Sequence, residues 1–346
     1  MVPAILRLTP GDTANEARWD AFVTACPQAT FFHRAGWQAV LGKVFRHETH
    51  FLYAESDGRI EAVLPLARVK SLLFGHSLVG LPFAVYGGAV GTRPQAVDAL
   101  ERHAQDLARQ LGVDHLELRN VAARHADWPL QDLYVTFRKA ILPDDEANLL
   151  AIPRKQRAMV RKGIAKGLRS EVDAGVDRFF ALYASNMHRH GTPALPKRYF
   201  EALRREFGED CDVQTVVAAD GRPLSSVLTF FFRDEVLPYY AGDDPMAREF
   251  AANDFKYWEL MRRACQRGCK VFDYGRSKRD SGSYSFKKNW GFEPQPLHYE
   301  YCLYKRNAVP QNNPANAKYK LLIEAWRRMP MPIANWLGPI VVRNLG

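Results

Sequence analysis

The stretch with the densest set of reactive side chains is 271–291, with the sequence VFDYGRSKRDSGSYSFKKNWG. Its charged and hydroxyl-bearing candidates are Asp273, Arg276, Ser277, Tyr284, Lys287 and Lys288. An apolar strand is expected to end here and to pass into a polar, Ser- and Gly-rich loop. Side chains in such positions line clefts, where Lys and Arg hold phosphates or a developing oxyanion. The alternative is a solvated basic loop whose aromatic residues pack on the sheet.

Asp273 is the candidate general base, because it lies at the end of the predicted strand beside the cationic loop. An Asp between Phe and Tyr on a strand is equally suited to a structural hydrogen bond. The sequence leaves both roles open.

A second concentration of charge lies at 152–168, where IPRKQRAMVRKGIAKGL predicts a helix that contains no acid. The basic residues in and just after this segment are Arg154, Lys155, Arg157, Arg161, Lys162, Lys166 and Arg169. Such a helix is the electrostatic footprint expected for tRNA or another phosphate-rich ligand. A solvated helix beside a linker is the alternative interpretation.

These segments belong to a chain that repeats its own pattern. Strand-like runs flank Asp57-Gly58 and again Asp220-Gly221, and Asp-Gly between such runs is a strong hairpin signal. Each hairpin is followed by an apolar run rich in aromatic residues and Gly, by a helix, and by a short strand that ends in a basic residue. A repeat of this length determines architecture before any single motif does. We therefore predict an α/β (α+β) fold built from two similar units.

The remaining pattern places further elements around the repeat. Helices are predicted at 14–25, 31–45, 94–111, 176–190, 195–208, 251–267 and 316–328. The run 134–142 is predicted to complete the first unit and the strand at 297–305 to complete the second. The expected domains are therefore 1–142 and 143–310, followed by a C-terminal helix and a Pro-rich apolar tail at 311–346.

Composition bounds the class of protein. With 47% apolar and 25% charged residues, the chain is typical of a globular protein, and its net charge of +10 suits phosphate-bearing ligands or anionic surfaces. The five cysteines are odd in number and irregularly spaced, which predicts thiols rather than a disulfide framework. The N-terminus lacks a signal-peptide pattern and no apolar run reaches the roughly 18 residues of a spanning helix. We expect a cytoplasmic protein.

No metal site is expected. His188 and His190 lie two residues apart and do not share a helix face, and no Cys or carboxylate lies at ligand spacing.

Four segments resemble FemAB-like proteins, in particular the FemAB-related proteins associated with exosortase (PEP-CTERM) loci. They are FFHRAGWQAVLGKVF, PRKQRAMVRKGIAKGL, YYAGDDPMAREFAANDFKYWELMRRACQRG and FDYGRS…GSYSFKKNWG, in the family's order. The resemblance implies two tandem GNAT (acyl-CoA N-acyltransferase)-like domains and amide-bond formation by acyl transfer. In the best-known branch, aminoacyl-tRNA gives its amino acid to an amine on a cell-wall precursor.

The resemblance also implies roles for single residues. Lys287, preceded by Phe286, falls where the family has a Lys thought to stabilise the tetrahedral oxyanion. Lys288 is a phosphate contact and the substitute if the alignment is shifted by one residue, and Arg276 would bind a phosphate or carboxylate bidentately. The further substrate-binding candidates are Tyr284, Tyr240, Asn253, Arg34, Lys197 and Arg198. Of these, Arg34, Lys197 and Arg198 lie near positions where family members contact a diphosphate.

The donor stays open between aminoacyl-tRNA and acyl-CoA, and no other cofactor is expected. The long helical hairpin that some cell-wall members insert in the second domain is absent, which weakens the argument for the same tRNA contact. The segment AGDDPMAREFAAND lacks the glycine spacing of an ordinary CoA pyrophosphate loop and carries Asp243 and Asp244. A non-catalytic binding module of exopolysaccharide assembly is the alternative outside the enzymes.

The tail MPMPIANWLGPIVVRNLG combines a Trp and several aliphatic residues with flanking Arg. It is too short and too interrupted by Pro to span a bilayer, but this composition suits an anchor that lies in the membrane interface. The alternative is a tail that packs back onto the first domain. The sequence does not indicate an oligomeric state.

Overall fold

The structure, a computed structural model, describes residues 3–71, 75–310 and 317–344. It divides into two compact units. Among the described residues, unit 1 contains 3–71, 75–132, 296–310 and 343–344, and unit 2 contains 133–295 and 317–342.

The described residues up to 132 form seven strands and three α-helices. In chain order these are β1 (Ala4–Arg7), α1 (Thr13–Ala25), α2 (Gly36–Val40), β2 (Glu48–Ser56), β3 (Arg59–Ser71), β4 (Gly75–Gly80), β5 (Val90–Gly91), α3 (Pro94–Gln110), β6 (His115–Asn120) and β7 (Leu130–Gln131).

The rest of the described chain forms nine strands and nine α-helices. In chain order these are β8 (Tyr134–Ala140), α4 (Asp145–Ala151), α5 (Arg154–Ala165), β9 (Arg169–Val172), α6 (Asp177–His190), α7 (Lys197–Phe207), β10 (Cys211–Val217), β11 (Pro223–Phe232), β12 (Glu235–Asp243), α8 (Ala247–Phe250), α9 (Ala252–Gln266), β13 (Val271–Asp273), β14 (Ser277–Lys278), α10 (Gly282–Asn289), β15 (Pro294–Pro296), β16 (His298–Leu303), α11 (Ala317–Arg328) and α12 (Met331–Val342).

The sheet of unit 1 has the strand order β1-β2-β3-β4-β6-β16-β7, and β5 pairs with β3. Its paired strands are antiparallel except β4 and β6, which run parallel and are connected through α3. The buried face of α3 supplies small residues such as Ala104 and Ala108, which pack against Leu64, Leu78 and Leu116 of the sheet. Burial of each leucine contributes about 1.5–3 kcal/mol to the free energy of unfolding.

The sheet of unit 2 has the order β14-β8-β13-β12-β11-β10-β9, and β15 pairs with β8. The strands β12 and β13 run parallel and are connected through α8 and α9. One core cluster joins this sheet to the helices through Phe137, Val236, Leu260, Phe272 and Trp290.

The two sheets confirm the internal repeat. Read from β1 and from β9, both run through antiparallel strands to one parallel pair that a helix connects. Both predicted hairpins are present. In the first, Asp57 (φ 51°) and Gly58 (φ 73°) are left-handed, as a two-residue turn of type I′ requires. In the second, only Gly221 is left-handed, and Ala218 N–H donates to the carbonyl of Arg222 at 2.9 Å.

In each sheet, one strand was predicted to belong to the other unit. It is the strand that pairs with the second strand of the parallel pair. Strand β8, predicted to complete the first unit, pairs with β13 in the second sheet, where Phe272 lies opposite Lys139. Strand β16, predicted to complete the second, pairs with β6 in the first sheet, where Glu300 lies opposite Leu118. The units therefore change over near residues 132 and 296 instead of at 142 and 310.

Two segments differ from the predicted elements. The run 31–45, predicted as one helix, is a 3-10 turn at Phe31–His33, then α2, then a π-helical turn at Leu41–Phe45. Arg34 breaks the run, because its backbone is extended (ψ 143°) after the turn that the Thr30 side chain caps. The predicted loop at 277–291 contains the eight-residue helix α10.

The C-terminal tail is helical. Helices α11 and α12 both pack against α6 of unit 2, whereas Arg343 and Asn344 at the end of the tail belong to unit 1. A Cβ added at Gly338 would lie 2.9 Å from the carbonyl oxygen of Ala194, so α12 makes a close backbone approach there. The imidazole of His188, at the end of α6, donates to the carbonyl of Met329 at 2.8 Å.

Candidate functional site

The candidate site lies where β12 and β13 of unit 2 separate. The two strands pair only at Glu235 with Val271 and at Val236 with Phe272, and β12 then continues to Asp243. A β-bulge interrupts the pairing of β11 with β12 at the start of this opening: Leu228 pairs with Tyr240, and Thr229 pairs with Pro238. Bulges commonly occur beside functional sites, because they redirect a side chain.

The residue on this bulge is Tyr239, which the sequence analysis did not identify. Its ring carbon Cε2 lies 4.0 Å from the position of a Cβ added at Gly275, on the segment that follows β13. Tyr239 therefore faces the Gly275 segment across the opening. Only the pairing register reveals the bulge, so no sequence signal indicated this residue.

The Gly275 segment is held by Lys287. The Lys287 Nζ donates to the carbonyl oxygens of Tyr274 at 2.7 Å, Gly275 at 2.9 Å and Arg276 at 3.2 Å. The residue is 8% exposed. An ammonium carries three hydrogens, so all of its donors are directed at this turn.

The helix α10 positions Lys287. The hydroxyl of Ser281 caps it by accepting from Tyr284 N–H at 3.3 Å, and this cap turns a Ser- and Gly-rich sequence into a helix. Lys287 lies on the buried face together with Trp290, whereas Lys288 is exposed, with its Nζ 5.8 Å from the centroid of the Tyr284 ring. The structure thus separates the two lysines that the sequence left interchangeable.

Burial lowers the pKa of the Lys287 ammonium from its usual range to about 7, because the charged form loses its hydration. The nearby charge of Asp273 opposes this shift and that of Arg276 adds to it. Perturbed lysines of this kind occur at functional sites, because a pKa near neutrality allows both protonation states.

Asp273 is fully buried at the end of β13 and contacts the same turn. Its Oδ1 accepts from Gly275 N–H at 2.7 Å and from the hydroxyl of Thr136 at 3.4 Å, and its Oδ2 lies 3.7 Å from Nε of Arg138. These contacts favour the structural interpretation of Asp273, because its carboxylate is occupied with the protein and does not reach solvent.

The other candidates near α10 form an aromatic and cationic surface. Arg276 is exposed, and its guanidinium carbon lies 4.5 Å from the centroid of the Tyr134 ring. Tyr284 and Phe286 are half-buried and pack on Phe137 and Tyr257, with ring centroids 5.4 and 5.5 Å apart. Arg276 and Lys288 therefore remain accessible to an anionic ligand.

Tyr240 and Asn253 lie on β12 and at the start of α9. The hydroxyls of Tyr240 and Tyr199 are 3.0 Å apart, and burial raises the pKa of Tyr240 well above its usual range. Asn253 is more open to a ligand: within the described residues, its buried Oδ1 has no hydrogen-bond partner.

Three basic candidates make contacts of their own. Arg34 belongs to unit 1, where its guanidinium lies 3.7 Å from the Asp20 carboxylate. Lys197 begins α7 and forms ion pairs with Asp177 and, at 3.6 Å, with Glu201. Arg198 is exposed beside it on the same helix.

A buried ion pair, also missed from the sequence, lies at the end of β12. Lys256 of α9 is 0% exposed and donates to Asp243 at 3.1 Å, and the hydroxyl of Ser225 donates to the same carboxylate oxygen. The negative charge of Asp243, which argued against a phosphate site, is therefore compensated within the protein.

Two kinds of feature are absent from the described parts of the chain. No group of three or more His, Cys, Asp or Glu side chains there could hold a metal ion. No helix in the same ranges is both long and apolar enough to cross a membrane.

Comparison with known proteins agrees with the fold. Residues 154–288, which contain this site, match the family model described as acetyltransferase (GNAT) domain. Among solved structures, the chain is similar to FemX, with a TM-score of 0.65, 15% identity, and coverage of 86% of this chain and 97% of that one. No curated protein sequence matches.

Two further structures share the architecture. One is the C-terminal domain of a putative lysylphosphatidylglycerol synthetase from Agrobacterium fabrum, with a TM-score of 0.58, 13% identity, and coverage of 85% of this chain and 93% of that one. The other is a tandem GNAT protein from the clavulanic acid biosynthesis pathway, with a TM-score of 0.54, 14% identity, and coverage of 86% and 97%. The fold is therefore that of two tandem GNAT-like domains.

Proposed function

We propose that the protein is an N-acyltransferase of the FemAB-like type, which forms an amide bond on an amine of a cell-envelope or exopolysaccharide precursor. The observation that carries the proposal is the buried Lys287 at the opening between β12 and β13, inside the segment that matches the GNAT domain. The structural similarity to FemX and to a lysylphosphatidylglycerol synthetase domain supports the same class.

The reaction needs few groups. The lone pair of the acceptor nitrogen attacks the acyl carbonyl carbon and the new C–N bond forms. The C–O bond of a tRNA ester, or the C–S bond of a thioester, then breaks. The nitrogen loses a proton and the leaving oxygen or sulfur gains one. The step that most needs the protein is the stabilisation of the tetrahedral oxyanion.

Lys287 is the proposed oxyanion donor. Its longest hydrogen bond, 3.2 Å to the Arg276 carbonyl, is the one that a substrate oxygen would replace most easily. Asp273 is proposed as a positioning residue, since it holds Gly275 N–H while Lys287 holds the carbonyls. The acceptor amine then loses its proton to the leaving group or to water.

We propose aminoacyl-tRNA as the donor. Six basic residues on or after α5 are exposed: Arg154, Lys155, Arg161, Lys162, Lys166 and Arg169. A surface of this charge suits a polyphosphate backbone. Acyl-CoA is the second candidate, because the compensated charge of Asp243 removes the negative charge that opposed phosphates near the start of α9 and because one similar structure is a tandem GNAT protein.

We further propose that the protein contacts a membrane surface through its tail. Large apolar side chains of α11 and α12 are exposed, namely Leu321 (73%), Leu322 (58%), Ile333 (47%), Trp336 (69%) and Ile340 (54%). On α12 the spacing of Ile333, Trp336 and Ile340 places them on one face, opposite the buried Ala334 and Gly338. With Arg327 and Arg328 nearby, this face suits an anionic lipid surface.

The test incubates the full chain with unfractionated aminoacyl-tRNA carrying labelled amino acids, or with labelled acetyl-CoA, and with a bacterial envelope-lipid extract as the acceptor. Label that enters the extract and survives mild base identifies an amide, because the ester of aminoacyl-tRNA is hydrolysed there. Label from aminoacyl-tRNA supports the first donor and label from acetyl-CoA the second. Label from neither, with tight binding of either donor, would indicate the non-catalytic binding module.

A further inference from the structure

A cavity of about 600 Å³ in unit 1 gathers more cations than its acids can neutralise. Its permanently charged lining residues are Arg46, Arg68, Lys70, Arg343, Glu48 and Asp114. The cavity lies where β3 ends and where β2, β4 and β6 begin. It therefore belongs to a different part of the chain from the Lys287 site.

Both acids of this cavity are already engaged. Glu48 accepts from the guanidinium of Arg68 at 3.1 Å. Asp114 accepts from His76 N–H at 3.1 Å and lies 3.5 Å from the guanidinium of Arg306. Arg68 and the acids thus largely cancel, and the excess positive charge rests on the other three cations.

These three cations are Arg46, Lys70 and Arg343, and all are exposed. In the described ranges, no carboxylate lies within ion-pair distance of these three cations. The two acids of the cavity pair with Arg68 and Arg306 instead. Like charges that share one concave surface repel one another and attract counter-ions. An anion in this cavity would relieve that repulsion.

His47 adds a neutral polar group to the same wall. It is 8% exposed, and its Nε2 has no hydrogen-bond partner among the described residues. Burial, with a smaller effect of the Arg343 charge, lowers the pKa of His47 to about 4, so the imidazole is uncharged at neutral pH. A buried polar atom without a partner costs free energy, which a ligand atom or water would recover.

We propose that this cavity binds a phosphorylated small molecule through Arg46, Lys70 and Arg343. Three cations without acidic partners suit a diphosphate or a nucleotide better than a single monovalent ion. The volume supports this size, because sites for small molecules measure about 300–1,000 Å³ and a lone phosphate needs far less. The proposal does not depend on the reaction proposed for unit 2.

Isothermal titration calorimetry of the full chain with inorganic pyrophosphate, and separately with uridine diphosphate, tests the site. The variants are Lys70→Ala and Arg46→Asn, the latter because Asn tolerates the left-handed backbone of Arg46 (φ 57°). The matched control is Arg59→Ala, an exposed cation at the other end of β3, about 36 Å away at roughly 3.3 Å per residue.

We expect both probes to bind, each cavity variant to weaken binding about tenfold or more, and Arg59→Ala to bind like wild type. Equal weakening by all three variants would mean general charge attraction and would overturn the proposal. So would the absence of binding to wild type at millimolar probe. Binding that Lys70→Ala and Arg46→Asn leave unchanged but Arg276→Ala abolishes would place the anion in unit 2 and would also refute it. Unchanged melting temperatures of the variants show that they fold.

Discussion

Lys287 and Asp273 hold the same peptide unit from opposite sides. The N–H of Gly275 donates to Asp273 Oδ1 at 2.7 Å, and the carbonyl of Tyr274, in the same peptide unit, accepts from Lys287 Nζ at 2.7 Å. Gly275 is left-handed (φ 63°), which a residue without a side chain adopts at little cost. The turn between β13 and β14, which carries Arg276 and faces Tyr239, is thereby fixed by two buried charges of opposite sign.

Lys287→Ala should reduce turnover about 100-fold or more, as expected for the loss of one oxyanion donor. Lys288→Ala is the matched control, because Lys288 is the exposed neighbour on the same helix and should retain most activity. Steady-state transfer rates of both variants decide the matter, with circular dichroism as the check of folding. An inactive Lys288→Ala beside an active Lys287→Ala would exchange their roles, and full activity of both would refute the oxyanion role.

Asp273→Asn should lower turnover less than tenfold. Asn keeps an oxygen that accepts from Gly275 N–H, and the main loss is the contact with Arg138 at 3.7 Å. A general base contributes about 100- to 10,000-fold, so a loss of that size would show that Asp273 takes the proton itself. Glu235→Gln removes the other carboxylate that pairs with Arg138 and controls for the ion pair alone.

The lowered pKa of Lys287 predicts a dependence of stability on pH. In the folded protein the pKa is about 7, whereas in the unfolded chain it is near 10.5. Between these values the unfolded state binds more protons, so the free energy of unfolding rises with pH, by at most about 1.4 kcal/mol per pH unit. Below pH 7 both states are protonated and the penalty of burying the charge is fully present.

Thermal unfolding of wild type and Lys287→Met at pH 6, 7.5 and 9 measures this effect. Wild type should gain stability relative to the variant as pH rises from 7.5 to 9. The difference in stability between wild type and Lys288→Met should not change with pH, because that lysine is exposed. A flat difference for Lys287→Met as well would show that the carbonyl cage keeps the ammonium charged.

The basic helix α5 predicts a salt-dependent affinity for tRNA. Filter binding of aminoacyl-tRNA between 50 and 200 mM salt should give a steep logarithmic slope that falls by about 1 for each phosphate contact removed. Arg161→Ala with Lys162→Ala should flatten it. Arg205→Ala with Lys270→Ala, two exposed cations elsewhere in unit 2, should not. An affinity for aminoacyl-tRNA that does not change with salt concentration would show that tRNA does not bind through this helix.

The exposed face of α12 predicts binding to anionic lipid. Full-length protein should sediment with phosphatidylglycerol vesicles at low salt, and Ile333→Ser with Trp336→Ser should reduce this several-fold without lowering the melting temperature. Leu130→Ser, an apolar residue of unit 1 that is 53% exposed, is the control. If the double variant sediments with the vesicles like wild type, the exposed face of α12 does not mediate lipid binding. Truncation before Met329 is a poorer test, because it also removes contacts with α6.

Local signals in the sequence predicted most of the elements. Helix α3 begins at Pro94 and ends before Gly112, and both hairpins follow their Asp-Gly pairs, because caps and turns depend on nearby residues alone. The sheet that each strand joins was not predictable in this way. The sequences of β8 and β16 indicate strands, but the neighbour of a strand is decided by contacts distant in sequence.

The sequence offered candidate residues but did not predict the geometry around them. Lys287 and Asp273 were identified, yet the loop expected around Lys287 is a helix, because the Ser281 cap and the burial of Trp290 outweigh the Ser- and Gly-rich composition. Tyr239 depends on a bulge in strand pairing, and Lys256 on an ion pair between elements. Neither follows from local sequence.

Whether Lys287 stabilises the oxyanion is decided by measuring base-stable label transferred from aminoacyl-tRNA to envelope lipid by wild type and by Lys287→Ala. We expect label transfer by wild-type protein, a decrease of about 100-fold or more in Lys287→Ala, and retained transfer in Lys288→Ala. Equal transfer by wild type and folded Lys287→Ala, or no transfer from either aminoacyl-tRNA or acetyl-CoA, would contradict this expectation.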